Sequence, residues 1–175
     1  VLILLSCLSL VACDLDLGSS YDPTTRTMYV DYYQEPCTDS ATSLCFRTSL
    51  KSDDAYAVNT KGMSGFEALK WGSRYAVQVE AKRDDNGKDT HYTLESIDTS
   101  EVIDASTNEF VLTFNMASGI LQDNQNSEWI IAAKKTFTCM EADCTALTNA
   151  ARDSNKIQLS FSAENDELNL LAVKC

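Results

Sequence analysis

The chain has a single histidine, His91, so any Ser-His-Asp or Cys-His chemistry must use it as the base. It falls at the start of a predicted strand beside a charged turn, where a solvated histidine is the ordinary reading. The run Asp84-Asp85-Asn86-Gly87-Lys88-Asp89 offers oxygen ligands around a glycine, as calcium loops do. The twelfth loop position, however, falls on Glu95 inside a strand, and Lys88 sits in the middle. A hairpin turn accounts for the same residues. Asp53-Asp54, and Asp98 with Glu101, are carboxylate pairs of the kind that glycoside hydrolysis needs, but nothing in the sequence fixes their separation. No residue is assigned as catalytic, and no cofactor or metal is expected.

Cysteine chemistry is better specified. Residues 1–12 read VLILLSCLSLVA, without a charge, proline or glycine. That is the character of a signal-peptide apolar region, and it is shorter than the about 20 residues of a spanning helix. No charged leader or initiator Met precedes it, so the signal peptide reads as truncated at its start. Leu10-Val11-Ala12-Cys13 resembles the bacterial lipobox: small Ala12 suits the peptidase pocket, and the Cys13 thiol takes the diacylglyceryl group. A lipoprotein of this type carries two or three acyl chains, enough for stable anchoring where one chain is marginal.

Of seven cysteines, Cys7 leaves with the signal and Cys13 is lipidated. Cys37, Cys45, Cys139, Cys144 and Cys175 remain. Export to an oxidising compartment favours disulfides, and the odd number leaves one thiol free or paired between chains. The net charge of −12 belongs wholly to the exported body, because the signal is uncharged. Such a body is expected to avoid nucleic acid and anionic lipid. Its membrane contact is therefore the lipid on Cys13.

These residues need elements to hold them. Residues 13–26 read as the lipidated cysteine and a polar tether. Asp14 resembles the signal that retains lipoproteins in the inner membrane of enteric bacteria, although Leu15 is not the residue that reinforces it, and the membrane is left open. From residue 27 the pattern is period two. Met28, Val30 and Tyr32 share one strand face; Leu44, Phe46 and Thr48 start another strand. Tyr75, Val77, Val79 and Ala81 alternate with polar residues, and Asn86-Gly87 turns that strand into one from His91 to about Thr99. After residues 104–108 come a strand at Phe110–Phe114, a long apolar strand at Trp129–Phe137, and strands at Ile157–Ala163 and Leu168–Val173 joined by a turn at Glu164-Asn165-Asp166. Between Cys139 and Ser154 the period becomes helical. Met140, Cys144, Leu147 and Ala151 share a face, with Glu141 and Asp143 in the first turn and Arg152 in the last, as the helix dipole favours.

The expectation is a mainly β chain with one helix (α+β), in two small antiparallel units. Residues 27–104 form a β domain. Residues 105–175 form an α+β domain ordered strand-strand-helix-strand-strand. With so few residues a side, the halves can share one core.

Residues 28–103 resemble a bacterial domain family of unknown function, number four-three-seven-seven, found in exported lipoproteins and often beside META or HslJ-like domains. The matching features are Pro36-Cys37 with Cys45-Phe46-Arg47, Gly65-Phe66 leading to Gly72-Ser73-Arg74-Tyr75-Ala76-Val77-Gln78-Val79, and Tyr92-Thr93-Leu94. Family members place Tyr-x-Pro-Gly where this chain has Lys70-Trp71-Gly72. The resemblance implies a small β-domain in the cell envelope, and no activity. It also implies that Cys37 pairs with Cys45, closing a short loop worth roughly 2–3 kcal/mol. In the second half, Cys139 and Cys175 both end strands, which favours that pairing; Cys139–Cys144 and Cys144–Cys175 stay open.

Tyr29, Tyr32, Tyr33, Phe66, Trp71 and Tyr75 concentrate aromatic surface in the first half. Most are expected in the core. Tyr29 and Tyr33, on the face opposite Val30, and Trp71 are the candidates for binding. The functional expectation is a non-catalytic binding or structural module of the envelope, facing the periplasm, with a possible envelope protein partner. The alternative is an inhibitor of an exported hydrolase such as a lysozyme or protease, since an acidic body complements a basic enzyme.

Overall fold

The computed structural model describes residues 23–153 and 156–174. The signal segment, Cys13, most of the tether and Cys175 lie outside the described residues. Among the described residues the chain is mainly β with a single α-helix, as its alternation predicts.

The first half is one six-stranded sheet. Strand β1 (Thr24–Pro36) takes in the last three residues of the expected tether, pairing Thr24 with Ala81 and Arg26 with Val79. It is flanked by β2 (Leu44–Ser49) and by the hairpin of β5 (Ser73–Arg83) and β6 (Asp89–Val102). Short strands β3 (Ala57–Val58) and β4 (Gly62–Ser64) complete the order β3-β2-β1-β5-β6-β4. The β4–β6 pair is parallel, so this unit is not purely antiparallel. The β5–β6 turn carries Gly87 at φ 74°, and the Asp84 carboxylate accepts from the Asn86 and Lys88 backbone N–H groups at 3.0 and 2.8 Å. The candidate calcium loop is thus an aspartate-capped hairpin turn.

A bulge divides β1 between two cores. Val30 pairs with Thr48 and Gln34 with Phe46, so three residues of β1 face one of β2. Before the bulge, Met28 and Val30 pack with Phe66, Val77, Val79 and Tyr92. At the bulge alternation fails, and consecutive Asp31 and Tyr32 are both buried. Tyr32 joins a second core, built mainly by the other half.

That half holds two three-stranded antiparallel sheets. In one, β11 (Lys156–Glu164) lies between β7 (Phe110–Asn115) and β12 (Glu167–Lys174). Asn165 and Asp166 turn β11 into β12 with φ of 52° and 75°, the left-handed values that tight hairpins need and that Asn and Asp tolerate. The other sheet is β8 (Leu121–Asp123), β9 (Glu128–Ile131) and β10 (Lys135–Thr138). The single strand expected over Trp129–Phe137 is therefore a hairpin. Ala132 and Ala133 turn at φ of 52° and 54°, a conformation their side chains do not advertise.

Helix α1 (Glu141–Arg152) buries Leu147 and Ala150 against this core. It starts one residue after Met140, which is 81% exposed and so lies off the expected face. Cys139 is joined to Cys144, with Cα atoms 5.4 Å apart, which corrects the expected Cys139–Cys175 pairing. The helix begins between the two cysteines, and its first turn folds Cys144 back onto the end of β10. Cys37 and Cys45 form the other disulfide, with Cα atoms 5.1 Å apart.

The halves share buried surface. Tyr32, Leu44, Trp71 and Ile103 pack with Phe110, Leu112, Phe161 and Leu168 in one cluster. Gly72, at φ 86°, threads the seam: it donates to the Tyr32 carbonyl and accepts from the Ile103 N–H, both at 2.8 Å. A Cβ there would sit 2.8 Å from the Ala163 carbonyl oxygen. Gly72→Ala combines a left-handed penalty with a clash against backbone, and is expected to cost about 2–4 kcal/mol. Denaturant unfolding followed by tryptophan fluorescence and far-ultraviolet dichroism checks this. A shared core predicts that both signals move together in the native chain and in the variant.

Candidate functional site

Where the halves meet, a cleft of about 400 Å³ opens. Its apolar lining is Leu44, Phe46, Met63, Phe66, Leu69 and Trp71. Its charged lining is Lys61, Lys134, Lys135, Glu67 and Asp166. The β2 strand and the segment around β4 supply the first half's share. The β9–β10 and β11–β12 turns bring the lysine pair and Asp166.

Asp166 locks the seam. Its carboxylate accepts from the Trp71 backbone N–H at 2.9 Å, and its own N–H donates to the Trp71 carbonyl at 3.1 Å. The same carboxylate pairs with Lys135, whose ammonium lies 5.9 Å from the centre of the Trp71 ring. Trp71 is 3% exposed, so it forms cleft wall and shared core and does not project to solvent. Its indole Nε1 is buried and has no hydrogen-bond partner among the described residues.

The other proposed aromatics are placed differently. Tyr33 stacks on Phe110, with ring centres 4.4 Å apart, and the Arg47 guanidinium covers it at 4.7 Å. Both of its faces are therefore used in packing. Tyr29 is half-buried in β1, between Ser49 and Ala76. Neither lines the cleft.

Beside the cleft, the β1 bulge buries Asp31 between two guanidinium groups. Arg74 Nε donates to it at 3.0 Å, and Arg47 lies 3.7 Å away while also pairing with Glu35 at 3.2 Å. Burial, reinforced by the Asp31 charge, pushes both the Tyr32 hydroxyl and the Glu35 carboxyl up. For Arg74, burial opposes the charge, but the hydrogen bond and charge of Asp31 outweigh it and raise the pKa. This cluster is internally neutralised and reads as a brace for the bulge.

A second hub ties the start of β1 to the β5–β6 hairpin. Asp89 accepts from Arg26 at 2.8 Å, Arg83 at 3.2 Å and the Tyr92 hydroxyl at 2.9 Å. Burial works to raise Asp89, but the Tyr92 and Arg83 hydrogen bonds and the charges of Arg26 and Lys61 hold it below the usual carboxylate range. Burial, then the hydrogen bond to Asp89 and its charge, push Tyr92 up to about 12.

The sequence candidates for catalysis do not converge. His91 Nε2 lies 2.7 Å from the Ser64 hydroxyl, a partner that sequence spacing did not suggest. The pair sits on the parallel β4–β6 strands, outside the cleft, and no carboxylate bonds the His91 ring among the described residues. Asp53 accepts from Ser52, Asp54 faces Lys51 at 3.9 Å, and Asp98 accepts from Gln78, all at the surface. Asp39 lies close to Cys37 and Cys45, but those sulfurs are bonded to each other and are not free to ligate a metal.

No family model, curated protein or solved structure matches this chain. Sequence reasoning missed Lys61, Lys134, Lys135 and Asp166, which are far apart in the chain. The one local signal was a lysine pair inside an otherwise apolar run.

The burial of Tyr92, with its bond to Asp89, makes stability depend on alkaline pH. A folded-state tyrosine pKa above its ordinary 10.0 stabilises fully below pH 10 and is lost as pH rises toward 12. Tyr92→Phe is expected to flatten the fall in unfolding midpoint across that window, measured by denaturant titrations at stepped pH.

Proposed function

We propose that this chain is the body of a bacterial envelope lipoprotein, held to a membrane by lipid on Cys13 and facing the periplasm, and that its role is binding without catalysis. The observation that carries the binding reading is the seam cleft: concave, apolar-lined and bearing a few charged groups, as small-molecule sites are. His91 and Ser64 lie outside it.

The address rests on the apolar run 1–12, on Leu10-Val11-Ala12-Cys13, and on two disulfides, which suit an oxidising compartment. No helix among the described residues is long and apolar enough to cross a membrane. The net charge of −12 favours a second reading, an inhibitor that meets a basic exported hydrolase electrostatically.

Cys13→Ser is expected to release the protein from membranes, measured by fractionation and by metabolic labelling with a radioactive fatty acid. Equal membrane partition of the variant overturns the anchor. Capture from solubilised envelopes of one basic hydrolase, with loss of its activity, would favour the inhibitor reading over the small-ligand one.

A further inference from the structure

The chain carries 26 acidic residues against 14 basic ones, yet three lysines line this one cleft. Lys135 is neutralised by Asp166. Lys61 and Lys134 have no acidic partner within ion-pair distance among the described residues. One comes from each half of the molecule, and the remaining carboxylate of the lining is Glu67 alone.

The turn that presents the lysine pair is held at a cost. Ala132 and Ala133 both take left-handed backbone, where alanine is disfavoured and asparagine or glycine is the usual choice. The Ala132 N–H donates to the Ile120 carbonyl at 2.6 Å, which fixes the turn against the underlying sheet. Strained backbone beside a cleft is a pointer to function when geometry also supplies one. Here it sets Lys134 and Lys135 at the edge of the cleft to whose lining Lys61 also contributes.

We infer that the cleft binds a small amphipathic anion: an apolar chain or ring bearing one carboxylate or phosphate. The inference rests on the reading of this body as a binding module, and it names the ligand class. The apolar part of the ligand covers the partly exposed Phe46 and Met63 and releases their water, over a floor of buried Phe66 and Leu69. The anionic head takes the two lysines that lack an acid. The volume suits a small molecule and not a folded domain.

The full chain carrying Cys13→Ser, which has no lipid of its own to compete, is titrated by calorimetry with dodecanoate, dodecyl phosphate and uncharged dodecanamide. Saturable binding of one equivalent of either anion, weakened by added salt, is expected. Lys61→Gln with Lys134→Gln should weaken anion binding by about 10-fold, leaving dodecanamide within about 2-fold. Lys61 lies 5.6 Å from the centre of the Tyr92 ring and its charge helps hold Asp89 low, so Lys134→Gln alone is the variant whose thermal midpoint should match the parent's, and it should still weaken anion binding. Tighter dodecanoate assigns a free fatty acid, and tighter dodecyl phosphate assigns a phosphate-bearing lipid fragment. Equal affinity for dodecanamide overturns the anionic part. Absence of saturable binding by all three overturns the ligand class, while membrane release of Cys13→Ser and partner capture test the envelope-binding reading separately.

Discussion

The structure depends on how Trp71 is held. Its backbone exchanges two hydrogen bonds with Asp166, at 2.9 and 3.1 Å, and its indole is buried in the core that the second half builds. Gly72, next in sequence, continues the contact by bonding Tyr32 and Ile103. Three segments of the first half are thereby fixed to the tip of the β11–β12 hairpin. Because the cleft lies in this seam, its shape follows from the same bonds. Asp166 also pairs with Lys135, so one carboxylate sets both the geometry of the seam and part of its charge. Removing it would leave the Trp71 N–H without a partner in a nearly dry site, where an unmade bond costs more than a made one contributes.

The β1 bulge distributes residues between the cores in a complementary way. A regular strand would send Tyr32 to the same face as Val30, into the first-half core. Three residues against one instead turn β1, so that Tyr32 and Tyr33 reach Phe110 across the seam. The turn also buries Asp31, which burial alone would penalise. Two arginines and the Tyr32 backbone N–H offset that penalty, and both guanidinium groups then lie over tyrosine rings. Bulge, ion cluster and aromatic packing are one arrangement.

Much of the fold was legible because its signals are local. Alternation at Tyr75–Ala81 and Ile157–Ala163, Asn86-Gly87, and the helical period with Glu141, Asp143 and Arg152 at its ends each state an element within a few residues. What sequence left hidden is set by long-range contacts. Ala132-Ala133 turns because β8 and β10 both pair with β9, not because alanine prefers a left-handed backbone. The bulge has no glycine to mark it. Cys139 has Cys144 as its partner because the helix starts between them, which spacing alone could not separate from the other pairings. The cleft lysines are invisible for the same reason: their convergence exists only once the seam is closed.

The charge of the whole body and the charge of the cleft act over different distances. A net −12 repels an approaching anion at long range, which opposes the ligand class drawn from the cleft. At physiological ionic strength, however, the Debye length is about 8 Å. Acidic residues farther than that from the cleft mouth are largely screened, whereas an anion seated in the cleft as inferred would lie close to lysine ammonium groups. There the effective dielectric falls and a pair at about 4 Å is worth several times its value in open water. The acidic exterior therefore lowers the association rate more than the affinity. It also disfavours anionic membrane surfaces and nucleic acids, which are too large to enter the cleft and meet only the outer charge. On the inference drawn from the cleft, a body of this sign would select for anions small enough to leave the exterior behind.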